Sequence, residues 1–223
     1  PSELIPMFEN YLVPRLEKFA GLHAAHASLH VYGIGEGELE TKVRDLLYGG
    51  NPTAALYAKT GQVHINLNAT APTEKEAQQL LKAKIAQFKE RVGDCIYSEN
   101  GEELHEIVVR LLSDANARIA VAESCTGGLL ASRITAVNGA SKIFEYGAAT
   151  YSDRIKEKVL AIDSTLVRKY SSVSSVVAAE MARGALQKGK ATIGVGITGI
   201  AGPTNEGYID KPVGLVYIAV ADK

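Results

Sequence analysis

The chain has 223 residues, 46% hydrophobic and 22% charged, with no low-complexity tract, which suits one large or two small globular domains and excludes a disordered tail. Lys and Arg number 24 against 25 Asp and Glu, so a formal net charge of −1 offers no general attraction to a phosphate backbone or an anionic membrane. Cys95 and Cys125 form neither a disulfide framework nor a metal-ligand spacing, and no apolar run approaches the roughly 20 residues of a membrane span. A protein of the reducing cytoplasm, with no membrane and no nucleic-acid partner, is the expectation.

PSELIPMFENYLVPRLEKFA carries a short helical pattern (Met7, Tyr11, Leu12) that Pro14 is expected to break; residues 1–20 read as the tail of a preceding domain. Beginning at Pro1 without a methionine, and ending just after VGLVYIAV, the chain reads as a piece of a longer protein at both ends. ASLHVYGI alternates as a strand through Leu29 and Val31. GEGELETKVRDLLYGG follows as a helix with Leu39, Val43, Leu46 and Leu47 on one face and a glycine stop. TAALYAK and QVHINLNA make a hairpin around Thr60-Gly61. Thr73 and Glu76 form a capping box before a helix bearing Ala77, Leu80, Leu81, Ile85, Phe88 and Val92, and CIY is a short last strand. This order predicts a small split-βαβ α+β domain over 21–98, with the polar stretch Tyr97 to Glu103 as linker.

From 102 to 223 strands alternate with helices: a helix through Leu104 and Leu112, strand RIAVA, the turn AESCTGG, helix LLASRITAV, loop NGAS and strand YGAATY. Helical patterns in DRIKEKVLAI and VSSVVAAEMARGALQK follow, then strand ATIGVGITGI, a Gly/Pro-rich loop and strand VGLVYIAV. The predicted fold is an α/β sandwich with helices on both faces of the sheet, where ligands sit beyond the strand ends. AESCTGG, ATYSDRIK and ITGIAGP fall at those ends.

No histidine follows position 105, so a hydroxyl nucleophile in these motifs must pass its proton to a lysine, a carboxylate or a water. Ser124 either caps the helix after AESCTGG or reacts, with free N–H groups around Thr126, Gly127 and Gly128 able to hold an oxyanion or a phosphate. Cys125 is intrinsically more nucleophilic, yet small buried cysteines commonly only pack. Lys156 lies five residues after Tyr151. An unperturbed lysine is neutral in roughly 4 molecules per 10,000 at pH 7, so a base role requires burial, whereas the charged neighbours Arg154, Glu157 and Lys158 suit an exposed one. TGIAGP, from Thr198, binds substrate or simply turns. GIGEG fails as a dinucleotide fingerprint because Glu38 stands at the third glycine position. Residues 20–100 contain no GxxG and hold 8 Lys/Arg against 9 Asp/Glu, so KH-like RNA binding lacks both its loop and its charge.

With AESCTGG, NGAS, TYSDRIK, ITGIAGP and KPVGLVYIA in this order, the second half resembles the C-terminal domain of the competence-damage-inducible protein CinA family. NPTAALYAKTGQVHINL resembles the family's middle domain, and PSELIPM the close of the N-terminal domain that long members carry. The resemblance implies nicotinamide mononucleotide (NMN) deamidase activity, releasing ammonia and nicotinate mononucleotide, with no metal or organic cofactor. Ser124 matches the family's nucleophile and Lys156 the base paired with it. Tyr151, Ser141 and Thr198, with Gly199 beside it, match positions that bind substrate or support the dyad; Cys125 then packs and Thr126, Gly127 and Gly128 shape the pocket.

Three departures stand out. Thr204-Asn205-Glu206 replaces the family's glycine run; the Gly-Asp-Arg segment with its phosphate-holding arginine is absent; and the N-terminal domain, which resembles molybdopterin-binding proteins, is represented by its tail alone. The rival expectation is a non-catalytic regulatory or assembly module. A symmetric homodimer is expected for an α/β domain of this size.

Overall fold

The computed structural model describes residues 3–17, 21–205, 207, 208 and 210–223. It divides into two compact units, 1–104 and 105–223. Near the N-terminus, α1 (Leu4–Met7), a π-helical turn (Phe8–Leu12) and α2 (Val13–Glu17) follow one another, and none of their residues is buried. The predicted break at Pro14 does not occur. The wider turn just before the proline relieves the clash its ring would make with the preceding carbonyls, so the helix continues.

The first unit is built from β1 (His23–Tyr32), α3 (Glu36–Leu47), β2 (Thr53–Lys59), β3 (Gln62–Ala71), α4 (Glu74–Val92) and β4 (Ile96–Ser98). Its strands lie in the order β2-β3-β1-β4 and every pair is antiparallel, the split-βαβ arrangement expected. Thr73 caps α4 by accepting the Glu76 N–H. Alternation assigns the faces. Leu29, Val31, Val63, Ile65 and Leu67 pack with Leu39, Val43, Leu81 and Phe88 of the two helices, so their even-numbered neighbours, His30 and His64 among them, point to the opposite face.

The second unit contains α5 (Leu104–Asp114), β5 (Ile119–Glu123), α6 (Leu129–Thr135), β6 (Phe144–Ala149), α7 (Asp153–Leu160), α8 (Ser164–Tyr170), α9 (Ser175–Gly189), β7 (Ile193–Gly199) and β8 (Val216–Asp222). Its sheet runs β6-β5-β7-β8, with β6, β5 and β7 parallel and β8 antiparallel at the edge. All five residues of β5 are buried, as befits a strand covered on both faces. One face packs Val121, Val195 and Ile197 on Val109, Leu112 and Ile134 of α5 and α6; the other packs Ala120 and Ala122 on α7, α8 and α9. The sequence pattern did not reveal α8, which is seven residues long and capped by Asp163 through the Thr165 N–H. Among the described residues no helix is long and apolar enough to cross a membrane.

Connections after the neighbouring strands β5 and β6 leave to opposite faces, which opens a crevice at their C-terminal ends. The register that brings β7 to the same level depends on α9 lying very close to it. A Cβ added at Gly196 would collide with the Ala178 carbonyl oxygen and meet the Ala182 backbone nitrogen at 2.5 Å, and neither backbone atom can move aside without shifting the helix. Gly196→Ala is therefore expected to destabilise the protein by about 1–3 kcal/mol or more through overpacking, measured as a lower urea midpoint at unchanged m-value.

Candidate active site

Ser124 is the first residue beyond β5 and is 7% exposed. It is not the cap of α6. The N-cap position of that helix is Gly128, in a left-handed conformation (φ 105°) that glycine alone enters readily, and no side chain bonds there as a local cap. The capping role falls instead to Glu123, which the sequence reading passed over. Its 1% exposed carboxylate accepts the Leu130 N–H at 3.0 Å and the Ala131 N–H at 2.8 Å. Those donors, and the Gly127 N–H that bonds the Ser124 carbonyl at 3.1 Å, are thus engaged within the protein. Ser124 is held at the strand end by its own N–H, which donates to the Ile197 carbonyl at 2.9 Å.

Lys156 settles between its two alternatives by burial. It is 2% exposed, on the inner side of α7, despite its charged neighbours. Its Nζ donates to the Tyr151 carbonyl oxygen at 3.0 Å and lies 3.5 Å from Asp153 Oδ1. Ser124 Oγ makes a longer contact, 3.5 Å, with the same Tyr151 oxygen, so hydroxyl and amine converge on one acceptor. Burial pushes the Lys156 pKa below its ordinary 10.5, and the Asp153 charge, its hydrogen bond and Cys125 oppose that shift only in part. Burial likewise pushes the Cys125 thiol up, and Cys125 packs against the core under α5 and α6. It is a poor thiolate.

Tyr151 contributes its backbone carbonyl to both contacts, and the residue itself is 73% exposed. Thr198, 1% exposed, donates its hydroxyl to the Ser172 carbonyl at 2.8 Å, and Ser172 Oγ bonds Tyr208 Oη at 2.7 Å. Ser124, Cys125, Tyr151, Lys156, Thr198 and Gly199 line one open cleft of about 210 Å³. Asp153, Ser172 and Tyr208 also line it and were not foreseen; the (i, i+3) spacing of Asp153 and Lys156 on one helix face was the available signal. Gly199 permits the close approach of the chain before β8 and of Cys125 to the end of β7, because an added Cβ would meet Leu215 O at 2.6 Å and Cys125 Sγ at 3.0 Å.

Four residues expected at the site are not cleft-lining. Thr126, Gly127 and Gly128 form the turn into α6, and Thr126 Oγ1 is buried without a partner. Ser141 is exposed on the 3-10 turn Ala140–Lys142, which precedes β6 and therefore sits at the strand end opposite Tyr151. Among the described residues the single group of three potential metal ligands lies in the first unit.

Residues 101–223 match the family described as CinA C-terminal domain, and residues 26–98 match the damage-inducible protein CinA KH domain. The chain belongs to the CinA family. A CinA-like protein of Dictyoglomus thermophilum is 43% identical over 221 residues, 99% of this chain and 54% of the relative. A protein of Caldanaerobacter subterraneus subsp. tengcongensis, named as competence-damage inducible, is 42% identical over 99% of this chain and 53% of its own. The chain thus spans about half the length of these curated relatives. The Agrobacterium tumefaciens competence/damage inducible protein CihA superposes with a TM-score of 0.52 at 35% identity, covering 54% of this chain and 72% of that one. An Escherichia coli CinA superfamily protein gives 0.51 at 36%, covering 54% and 69%. The CinA KH domain of this chain has neither a GxxG pair nor an excess of basic residues between 20 and 100.

Glu123 is the group on which the turn carrying Ser124 depends. Glu123→Gln keeps the shape but faces one of two buried N–H groups with another donor, and is expected to cost about 1–3 kcal/mol. Chemical denaturation measures the loss; unchanged stability would show that the two hydrogen bonds do not hold the turn.

Proposed function

We propose that this CinA protein hydrolyses the carboxamide of nicotinamide mononucleotide, as the resemblance of its motifs implies. The observation that carries the reading is the convergence of Ser124 Oγ and the buried Lys156 Nζ on the Tyr151 carbonyl, within a cleft at the ends of three parallel strands. A primary amide is a poor electrophile, so its hydrolysis calls for an activated hydroxyl. Desolvation supplies the activation here, by raising the share of Lys156 that is neutral and able to take a proton.

In the proposed sequence the Ser124 oxygen attacks the carboxamide carbon while its proton passes to Lys156. The tetrahedral intermediate then expels nitrogen, which leaves as ammonia after receiving that proton, and an ester to Ser124 remains. Water attacks the ester, again with Lys156 taking the proton, and returns the Ser124 hydroxyl and the nicotinate carboxylic acid. Asp153 limits how far the lysine is neutralised, and Thr198 steadies the Ser172 loop through its hydroxyl. A cleft of about 210 Å³ is smaller than the roughly 300 Å³ from which small-molecule pockets usually start. On this reading it takes the pyridine ring and leaves the ribose phosphate at its open side.

Ammonia release from nicotinamide mononucleotide, with free nicotinamide as control, tests the reading. Ser124→Ala is expected to abolish turnover and Lys156→Met to lower it by about 10²–10⁴-fold. Absence of turnover in the unaltered chain would favour a non-catalytic CinA module. The rate should rise with pH along a limb centred below 10.5, since the neutral amine is the active form.

Stability carries the same signature. The folded state binds fewer protons than the unfolded one between the lowered Lys156 pKa and the ordinary value. The destabilisation from the buried charge is therefore complete below that window and disappears as pH rises through it. Denaturation at several pH values should show this rise, and Lys156→Met should remove it.

A further inference from the structure

The helix-free face of the first unit's sheet contains a second group of reactive side chains. His30 of β1 and His64 of β3 are direct cross-strand partners, and their rings stack with centroids 3.7 Å apart and planes 11° from parallel. Glu103 joins them from the segment that follows β4. One ring nitrogen of each histidine and a Glu103 carboxylate oxygen all lie within 4.8 Å of one another. We propose that His30, His64 and Glu103 bind one divalent transition-metal ion, with zinc as the reference ion.

The surroundings favour a ligand role over a packing role. His64 Nε2 is shut off from solvent without a hydrogen-bond partner, a state that buried polar atoms rarely occupy unless something else satisfies them. His30 is 4% exposed, and the Glu102 carbonyl lies 3.1 Å from its Nδ1. A proton held there by the carbonyl leaves the lone pair on the other nitrogen, which is the orientation a backbone carbonyl gives a metal-bound imidazole. The Tyr97 hydroxyl, 3.3 Å from the same Nδ1 and bonded to Gln62, completes a polar wall on that side.

Two imidazoles and one carboxylate select ions such as zinc and cobalt, whereas magnesium and calcium require oxygen ligands throughout. Tetrahedral zinc needs donor atoms about 3.3 Å apart. The stacked rings must therefore splay, and the rotation falls to His64, which is half-buried where His30 is buried. Water supplies the remaining position.

The test uses the 223-residue chain after chelator treatment, titrated with zinc by calorimetry and with cobalt(II) by visible absorption. One equivalent of zinc per chain is expected, with affinity reduced about tenfold or more in both His64→Gln and Glu103→Gln. Zinc should also raise the melting temperature of the unaltered chain and of neither variant. Cobalt should give the intense bands of a tetrahedral complex, lost in His64→Gln. No binding, or binding that persists undiminished in either variant, overturns the assignment. Glu103 is half-buried at the end of a loop, so Glu103→Gln provides a readout even if replacement of a sheet histidine disturbs folding. None of these readouts involves Ser124 or Lys156.

Discussion

The burial of Lys156 is the constraint around which the second unit of this CinA protein is arranged. An ammonium group taken out of water is costly, and the carboxylate beside it among the described residues, Asp153, is itself half-exposed at 3.5 Å, so the attraction it returns is weakened by solvent. Desolvation wins that comparison, and the lysine is more acidic than one at the surface. What keeps it in place is a backbone carbonyl, that of Tyr151, whose position is fixed by the end of β6. The same oxygen is in reach of Ser124.

Around that carbonyl, the sheet ends in a set of buried polar groups that satisfy one another. The Thr150 N–H donates to the Glu123 carbonyl at 2.7 Å, which ties β6 to β5, while the Glu123 side chain ties β5 to α6. The Ser124 N–H ties β5 to β7, and Thr198 ties β7 to the loop before α9. Each group would be expensive to leave unpaired in this setting, so the loops bearing Ser124, Lys156 and Thr198 cannot drift independently. Such a network holds Ser124, Lys156 and Thr198 in place before any ligand arrives, which is the geometric requirement of the amide hydrolysis proposed above.

Much of this was legible in the sequence wherever a feature has a period. The odd-numbered residues of β1 and β3 and the helical spacing along α4 and α9 identify both cores, and the strand-end positions of Ser124, Tyr151, Lys156 and Thr198 follow from the alternation of strand and helix. What escaped has no local period. α8 is too short to show one, and Pro14 falls after a turn whose widening depends on backbone geometry. Glu123 reads as an ordinary strand end until the fold turns α6 back onto it. The charged residues flanking Lys156 suggested exposure because one helix can carry solvent-facing charges and a buried lysine at once. Ser141 sits in the right motif at the wrong end of β6, a distinction that order along the chain does not make.

The contrast between the two sheets explains where each unit can carry chemistry. In the second unit helices cover both faces, so a polar group on β5 has no room except at the strand end, and the polar residues that line the cleft accumulate there. In the first unit both helices lie on one side, and the opposite face is free to hold polar side chains in register. Antiparallel pairing then sets residues 34 positions apart directly across from each other, as with His30 and His64. Two imidazoles stacked on a sheet gain little from each other, and one of them has a buried nitrogen with no hydrogen-bond partner. A cation shared between the rings and Glu103 would satisfy that nitrogen and clasp β1, β3 and the segment after β4 through one centre.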